Sequence, residues 1–338
     1  MLRHGAIWLI IALWAVLAPA ALPAQQPTDG VRRIEVRATQ LPSFDLRAAA
    51  LSRKFGKLIF RGGLELTSSD KAFGGLSSIH VEPDGRNFVA VTDRGNWLRG
   101  KIRYDGDKPV GIVDAEMAPM LGADGKPLAR RGWYDTESLA ANGGTLYVGI
   151  ERVQRIVRFD YGKHGLKARA QPIPVPAAFA KLPDNKGIEG LVYVPRNQPL
   201  AGTLIAFAER GLDAAGNHTA FLIGGPRLGS FTLRRYRDFD ISDATLLPDG
   251  DILLLERRFT WVEGVGIRIR RITQAQIKPG GLVDGPEIFS ADMGYNIDNM
   301  EGIAVHRDGA ETVLTLVSDD NFSALQRTLL LQFTLAEN

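Results

Sequence analysis

The sequence of 338 residues predicts an all-β fold, a ring of four-stranded blades, on three observations. One hairpin unit recurs five times along the chain. Its strands are rich in Val, Ile, Leu, Phe and Thr and show no helical periodicity. Successive units start 60, 52, 53 and 59 residues apart, which leaves room for two more strands after each hairpin. Four strands per repeat of this size is the signature of a β-propeller blade.

Along the chain, the first element is an export signal. "MLRHGAIWLIIALWAVLAPAALPAQQ" has a basic start (Arg3, His4), an apolar run from Ala6 to Leu17, and small residues at Ala18, Ala20 and Ala24. Cleavage is expected after Ala20 or Ala24, giving a signal peptide over 1–24, and the protein is expected in the periplasm or outside the cell. The competing reading is a retained membrane anchor. The apolar run is short for a bilayer span and Pro19 follows it, which favours cleavage, and no membrane span is expected after it. Residues 25–56 read as a lead-in and 57–338 as the propeller. Helix is expected only near Ala48–Phe55 and Ala177–Leu182.

The five units begin at Ser77 ("SSIHVEPDGRNFVAVTDRG"), Glu137 ("ESLAANGGTLYVGIERV"), Glu189 ("EGLVYVPRNQPLAGTLIAFAERG"), Ser242 ("SDATLLPDGDILLLERR") and Glu301 ("EGIAVHRDGAETVLTLVSDDN"). The turns "PDG" at Pro83 and Pro248, and "RDG" at Arg307, supply a preset φ or an Asx bond and then a glycine for the left-handed position. The last unit has one strand left after its hairpin, "TLLLQFTL" from Thr328, and "KLIFRGGLELTS" from Lys57 is an orphan. Pairing chain start with chain end would close the ring and remove exposed edges. Five blades are visible; a sixth, built partly from "RRIEVRATQL", stays open.

Each hairpin carries acids at both ends. In an antiparallel pair the entrance of one strand lies beside the exit of the next, so a closed ring would gather Glu137, Glu189 and Glu301 with Ser77, Ser242 and Asp243 around one channel mouth. Asp93, Glu151, Glu209, Glu256, Asp319 and Asp320 would form a second ring outside them. Four of these acids precede an arginine: Arg94, Arg152, Arg210 and Arg257. One reading makes the acids loop caps and blade-to-blade ties. The other has Glu137, Glu189 and Glu301 act as ligand or base, with Asp93, Asp135, Asp243, Asn299, Asp319 and Asp320 as further metal ligands. The four arginines would then grip an anionic ester. A hard divalent cation, Ca²⁺ first, is the expected cofactor, and a small anionic ester the expected substrate.

The strings "FGGLSSI", "TDRGNW", "DTESLA", "GIEGLVYVP", "DISDATLLPDGDILLLERRF", "DNMEGIAV" and "LVSDDNF" together resemble the phytase-like family, also described as esterase-like activity of phytase. The resemblance runs from about Leu58 to Leu335. It implies a β-propeller and hydrolysis of phosphate or carboxylic esters. The metal-ligand motifs of the calcium-dependent propeller phytases do not map onto this chain residue by residue. A looser likeness is to propeller lactonases, through "EGL" at Glu189 and "NMEG" at Asn299–Gly302.

Other classes find little support. Positive charge is scattered, with a net charge of +3, so nucleic-acid binding is not expected. There are 0 cysteines, hence no disulfides, and stability must come from core burial. "GGLSSI" lacks the closing glycine of a nucleophile elbow, which makes Ser77 a loop cap. No His-Glu-x-x-His pair exists, and His80 and His306 read as strand residues. Trp133 and Tyr134 could form a pocket platform or pack between blades. A metal-assisted ester hydrolase is therefore the leading expectation. A non-catalytic propeller binding a sugar, peptide or envelope component, and a metal-dependent lactonase, stand beside it. The sequence does not set the oligomeric state.

Overall fold

A computed structural model describes residues 30–47 and 52–336. The expected signal peptide and residues 48–51 of the first expected helix lie outside the described residues. The chain forms five antiparallel blades of four strands each, closed into a propeller.

From the channel outward, blade one runs Leu76–Val81, Asn87–Thr92, Asn96–Asp105 and Lys108–Pro119. Blade two runs Thr136–Asn142, Thr145–Ile150, Arg155–Asp160 and Gln171–Pro172. Blade three has Ile188–Tyr193, Leu204–Leu212, His218–Ile223 and Gly229–Leu233, with Leu282–Val283 added in parallel at its edge. Blade four has Asp240–Leu246, Ile252–Thr260, Gly264–Ile272 and Glu287–Ala291. Blade five takes Met300–Asp308, Glu311–Ser318 and Thr328–Leu335 from the chain end and Leu58–Thr67 from its start.

Closure is the expected one: Thr328 faces Leu66 and Leu335 faces Leu58. The lead-in adds no sixth blade. Its Arg32–Arg33 extends the outer edge of blade one, and its Arg37–Gln40 extends that of blade five. One short segment therefore straps the two blades that ring closure joins, and it covers both outer edges. Lys54–Phe55, expected as helix, instead turns back on Leu58 and Ile59 as a strand. Ala177–Lys181 is a 3-10 turn, and the longest α-helix among the described residues is the single turn Tyr161–His164.

The core is divided rather than central. Side chains on the two faces of a strand point to different neighbouring blades, so both faces are buried and the strands read as continuous apolar runs. In Asn87–Thr92, Phe88 and Ala90 pack toward blade five, whereas Val89 and Val91 pack toward blade two. Five apolar clusters result, one per junction between blades. They supply the burial that a chain without disulfides needs.

Candidate functional site at the channel mouth

Every inner strand carries a β-bulge at the same place. Leu76 faces Thr92 and Ser78 faces Val91, leaving Ser77 unpaired. By the same register Glu137, Glu189, Ser242 and Glu301 are the extra residues in blades two to five. A bulge frees one side chain from the alternation of the strand and re-aims it. Here it brings the carboxylates of Glu137, Glu189 and Glu301 near one another, while the Ser77 and Ser242 hydroxyls donate to the carbonyls of Gly75 and Met300. The bulge positions are the five residues at which the repeat units start.

A second ring stands beside this one. The amides of Asp93, Glu151, Glu209 and Asp319 donate to the carbonyls of Gly75, Asp135, Gly187 and Asn299 at 2.8–2.9 Å, and Arg257 pairs with Asp240 at the equivalent place. Blade four therefore departs from the expected pattern. Glu256, expected in the ring, faces Ile241 and lies on the opposite side of its strand. It is fully buried between Arg268 and Arg270, and Arg270 Nη2 reaches it at 2.5 Å. Removing this one acceptor takes the counter-charge from buried Arg268 and leaves buried Arg270 with Asp284 alone, at 3.2 Å. Glu256→Ala is expected to cost about 3–5 kcal/mol of stability. Urea unfolding checks it, and a loss below about 1 kcal/mol would show that the arginines find other partners.

The carboxylates converge. Oxygens of Glu151, Glu189 and Glu209 lie within 4.8 Å of one another. Glu301 accepts a 2.9 Å bond from Asn299 Nδ2 and stands 3.1 Å from Arg257 Nη2, while Asn299 Oδ1 accepts from Arg257 Nη1. Glu209 accepts from Lys186 Nζ at 2.8 Å, and Glu151 accepts from the Gly187 amide. Glu137 shares a hydrogen bond with Asp135.

Crowding and burial shift this group upward. Burial, then the fields of Glu301, Asp135, Glu151 and Asp93, hold Glu137 well above the usual carboxylate range. Burial, then Glu137, Glu209, Glu151 and Glu301, does the same to Glu189. Burial takes Glu151 and Glu301 to about 7, in the latter case against the pull of Arg257. Burial and the charge of Asp319 put Asp93 at about 8, and burial puts Asp319 at about 6. Arg257 loses by burial and gains more from Glu301, Glu209, Glu189 and Asp319, so it stays charged.

The other expected site residues are placed differently. Both oxygens of Asp243 are taken: Oδ2 accepts from Ser78 Oγ of blade one and the Ile303 amide of blade five, each at 2.9 Å, and Oδ1 accepts from the Ala244 amide at 2.8 Å. Asp243 is a tie across the channel, below the mouth. Asp320 accepts from the amides of Gly75 and Phe322 at 2.9 and 3.0 Å and from Thr328 Oγ1 at 2.9 Å, which links blade five to blade one. Asn299 is spent on Arg257 and Glu301. Arg210 is bound to Asp240 at 2.6 Å. Arg94 and Arg152 are exposed on the rim, lying over Phe322 (3.2 Å) and Tyr134 (5.1 Å). Ser77 is buried at its bulge, and its Oγ donates to the Gly75 carbonyl of the loop before the strand at 3.4 Å. His80 and His306 lie in strands, away from the mouth.

A hard divalent cation fits the mouth. The donors that converge are carboxylate oxygens without His or Cys, the set that hard ions select, and Asp93 Oδ1 is buried with no donor. Glu151, Glu189 and Glu209 are the residues that would hold the ion. Glu151 and Glu209 were legible as ring members but not as ligands, since only the closed ring shows which acids touch.

The family model described as "Phytase-like: Esterase-like activity of phytase" matches residues 71–322. No curated protein matches the sequence. Among solved structures, glutaminyl cyclase of Myxococcus xanthus is similar at 12% identity and a TM-score of 0.42, over 78% of this chain and 92% of that one. Dihydro-haem d1 dehydrogenase NirN, in complex with DHE, is similar at 15% identity and a TM-score of 0.33, over 82% of this chain and 52% of that one. The chain thus spans about half the length of NirN. The U3-55K structure is similar at 9% identity and a TM-score of 0.36, over 78% of this chain and 96% of that one.

Proposed function

The chain belongs to the phytase-like family, and from that membership and the acidic mouth we propose an exported, metal-assisted ester hydrolase with a phosphoester as substrate. The observation that carries the reading is the convergence of Glu151, Glu189 and Glu209 within 4.8 Å in a site where burial disfavours their charge. Carboxylates packed this way either keep protons or are neutralised by cations, and Lys186 answers Glu209 alone.

A divalent ion there would polarise the ester oxygen and make bound water more acidic. The chain's own groups do the rest. Glu301, at about 7, can hold or release a proton near neutral pH, as a general base or acid must. Arg257 and Asn299 fix its orientation. Glu137 shares a hydrogen bond with Asp135, and burial disfavours a full charge on either beside it. On the rim, Arg94 and Arg152 offer guanidinium groups, backed by Phe322 and Tyr134, to the anionic part of the substrate. Export rests on the N-terminal run Ala6–Leu17. A mature chain that begins at Ala21 or Gln25 supports it, and one that retains Met1 rejects it.

Metal analysis of the purified chain, with a panel of phosphate esters, carboxylic esters and lactones assayed with and without chelator, tests the function. Phosphoester hydrolysis that chelation abolishes and Ca²⁺ restores is expected. Silence across the panel in both conditions would reject hydrolysis and favour a binding propeller. Turnover of lactones alone would move the reading to a lactonase.

A further inference from the structure

A cleft of about 990 Å³ lies along blade four and the loops beside it, and no carboxylate of the mouth lines it. Arg47, Arg237, Arg258, Arg268 and Arg270 all face it. Each of its carboxylates already accepts a hydrogen bond. Asp284 accepts from Tyr236 Oη, from Arg270 Nη1 at 3.2 Å and from the Gly285 amide at 2.8 Å, and lies 3.3 Å from Arg234. Asp292 accepts from the Gly294 amide at 2.8 Å and faces Arg47 at 3.5 Å, and Glu287 accepts from Ser290 Oγ at 2.7 Å. Behind the wall, Glu256 is shared by Arg268 and Arg270, and Glu263 pairs with Arg258.

The donors are not used up. Arg268 is 5% exposed, and its Nη2 is buried without an acceptor; Arg258 Nε is likewise orphaned. A buried donor left unmade is costly, so an unpaired pair of them in one cleft calls for a completing group. Guanidinium nitrogens only donate, which requires that group to be an acceptor. The adjoining turn is strained as well. Arg237 and Asp238 are adjacent non-glycine residues at φ 50° and 58°, a rare backbone state that gathers at ligand sites. That turn presents Arg237 on the rim and Tyr236 on the wall.

We infer that this cleft binds a small organic oxyanion. Arg237, Arg258 and Arg268 take its charged end, and Tyr236, exposed on the wall, faces its carbon body. Arginine is the side chain suited to carboxylate and phosphate groups, and the cleft is far larger than a bare ion needs. The site is separate from the mouth and does not depend on the hydrolase reading.

The test is calorimetric titration of the full chain, in chelator, with phenylphosphonate, whose carbon–phosphorus bond is not an ester. Saturable binding is expected, weakened about tenfold or more in Arg237→Gln and in Arg268→Lys. The second variant keeps a cation beside Glu256, and the first changes an exposed residue. Glu189→Gln should bind as the parent does. Absence of binding, or affinity unchanged in both arginine variants, overturns the inference. So does binding that Glu189→Gln weakens, because it would place the ligand at the mouth. Equal affinity for inorganic phosphate overturns the assignment of an organic ligand.

Discussion

Chelator-treated protein is expected to lose on the order of 3 kcal/mol of stability as the pH rises from about 6.5 to 8, and to regain much of it when Ca²⁺ is added. The mouth acids have folded pKa values above their unfolded ones. Below the unfolded values both states hold the protons and the groups cost nothing. As pH rises toward the folded values, the unfolded chain ionises first and is favoured, so stability falls. The window runs from the ordinary values of 3.8 and 4.5 up to about 6 for Asp319, about 7 for Glu151 and Glu301, and about 8 for Asp93.

One pKa unit is about 1.4 kcal/mol, so Glu151 alone, taken from 4.5 to about 7, contributes roughly 3 kcal/mol of destabilisation. The groups share protons, and their contributions do not simply add. Asp70, held below its ordinary value by the hydrogen bond from Arg32, acts in the opposite sense only below the window. Buried His80, lowered to about 4, with His218 and His306 also lowered, makes stability rise with pH up to the ordinary imidazole value of 6.5, so the fall is read above that pH. A cation bound only by the folded state at 100 times its Kd returns about 2.7 kcal/mol. Urea melts at pH 6.5 and pH 8, with chelator and with Ca²⁺, measure the fall due to the acids. A flat or rising profile in chelator would mean that the acids are neutralised from within the chain.

What was legible in the sequence is what short-range chemistry fixes. The "PDG" and "RDG" turns and the apolar runs around them specify hairpins locally, and the orphan strand at Lys57 could only be matched by the one at Thr328. The repeat starts even fell on the bulge residues, because Ser77, Glu137, Glu189, Ser242 and Glu301 each open an apolar strand at the same register. Glu256 was misplaced for a physical reason. "LLLERR" resembles "VGIERV" and "AFAERG", yet its pairing puts Arg257 where those place their glutamate. A slip of one residue moves a side chain to the other face, and register is set by pairing rather than by composition. Asp243 and Asp320 were out of reach for another reason. Their partners Ser78 and Gly75 lie 165 and 245 residues away along the chain, and only the closed ring brings them together.

Glu189→Gln separates the catalytic reading from a purely structural one, because the two predict opposite signs for stability. Glu189 belongs to the inner bulge ring and also to the group within 4.8 Å, the only residue in both. Its amide replacement keeps the shape and removes the charge that Glu137, Glu209, Glu151 and Glu301 oppose. In chelator at pH 8 the variant is expected to be more stable than the parent by about 1–3 kcal/mol, since a repelled, buried charge has gone. Its Ca²⁺-dependent stabilisation should shrink, because one of three ligands has gone. Ester hydrolysis should fall by about 10²–10⁴-fold in kcat/KM, the range expected when a positioned catalytic group is lost. Gain of stability with loss of activity is what a strained functional site produces. A variant that is less stable than the parent would make Glu189 a structural tie, as Glu256 is, whereas one that is more stable and fully active would place the chemistry elsewhere on the propeller.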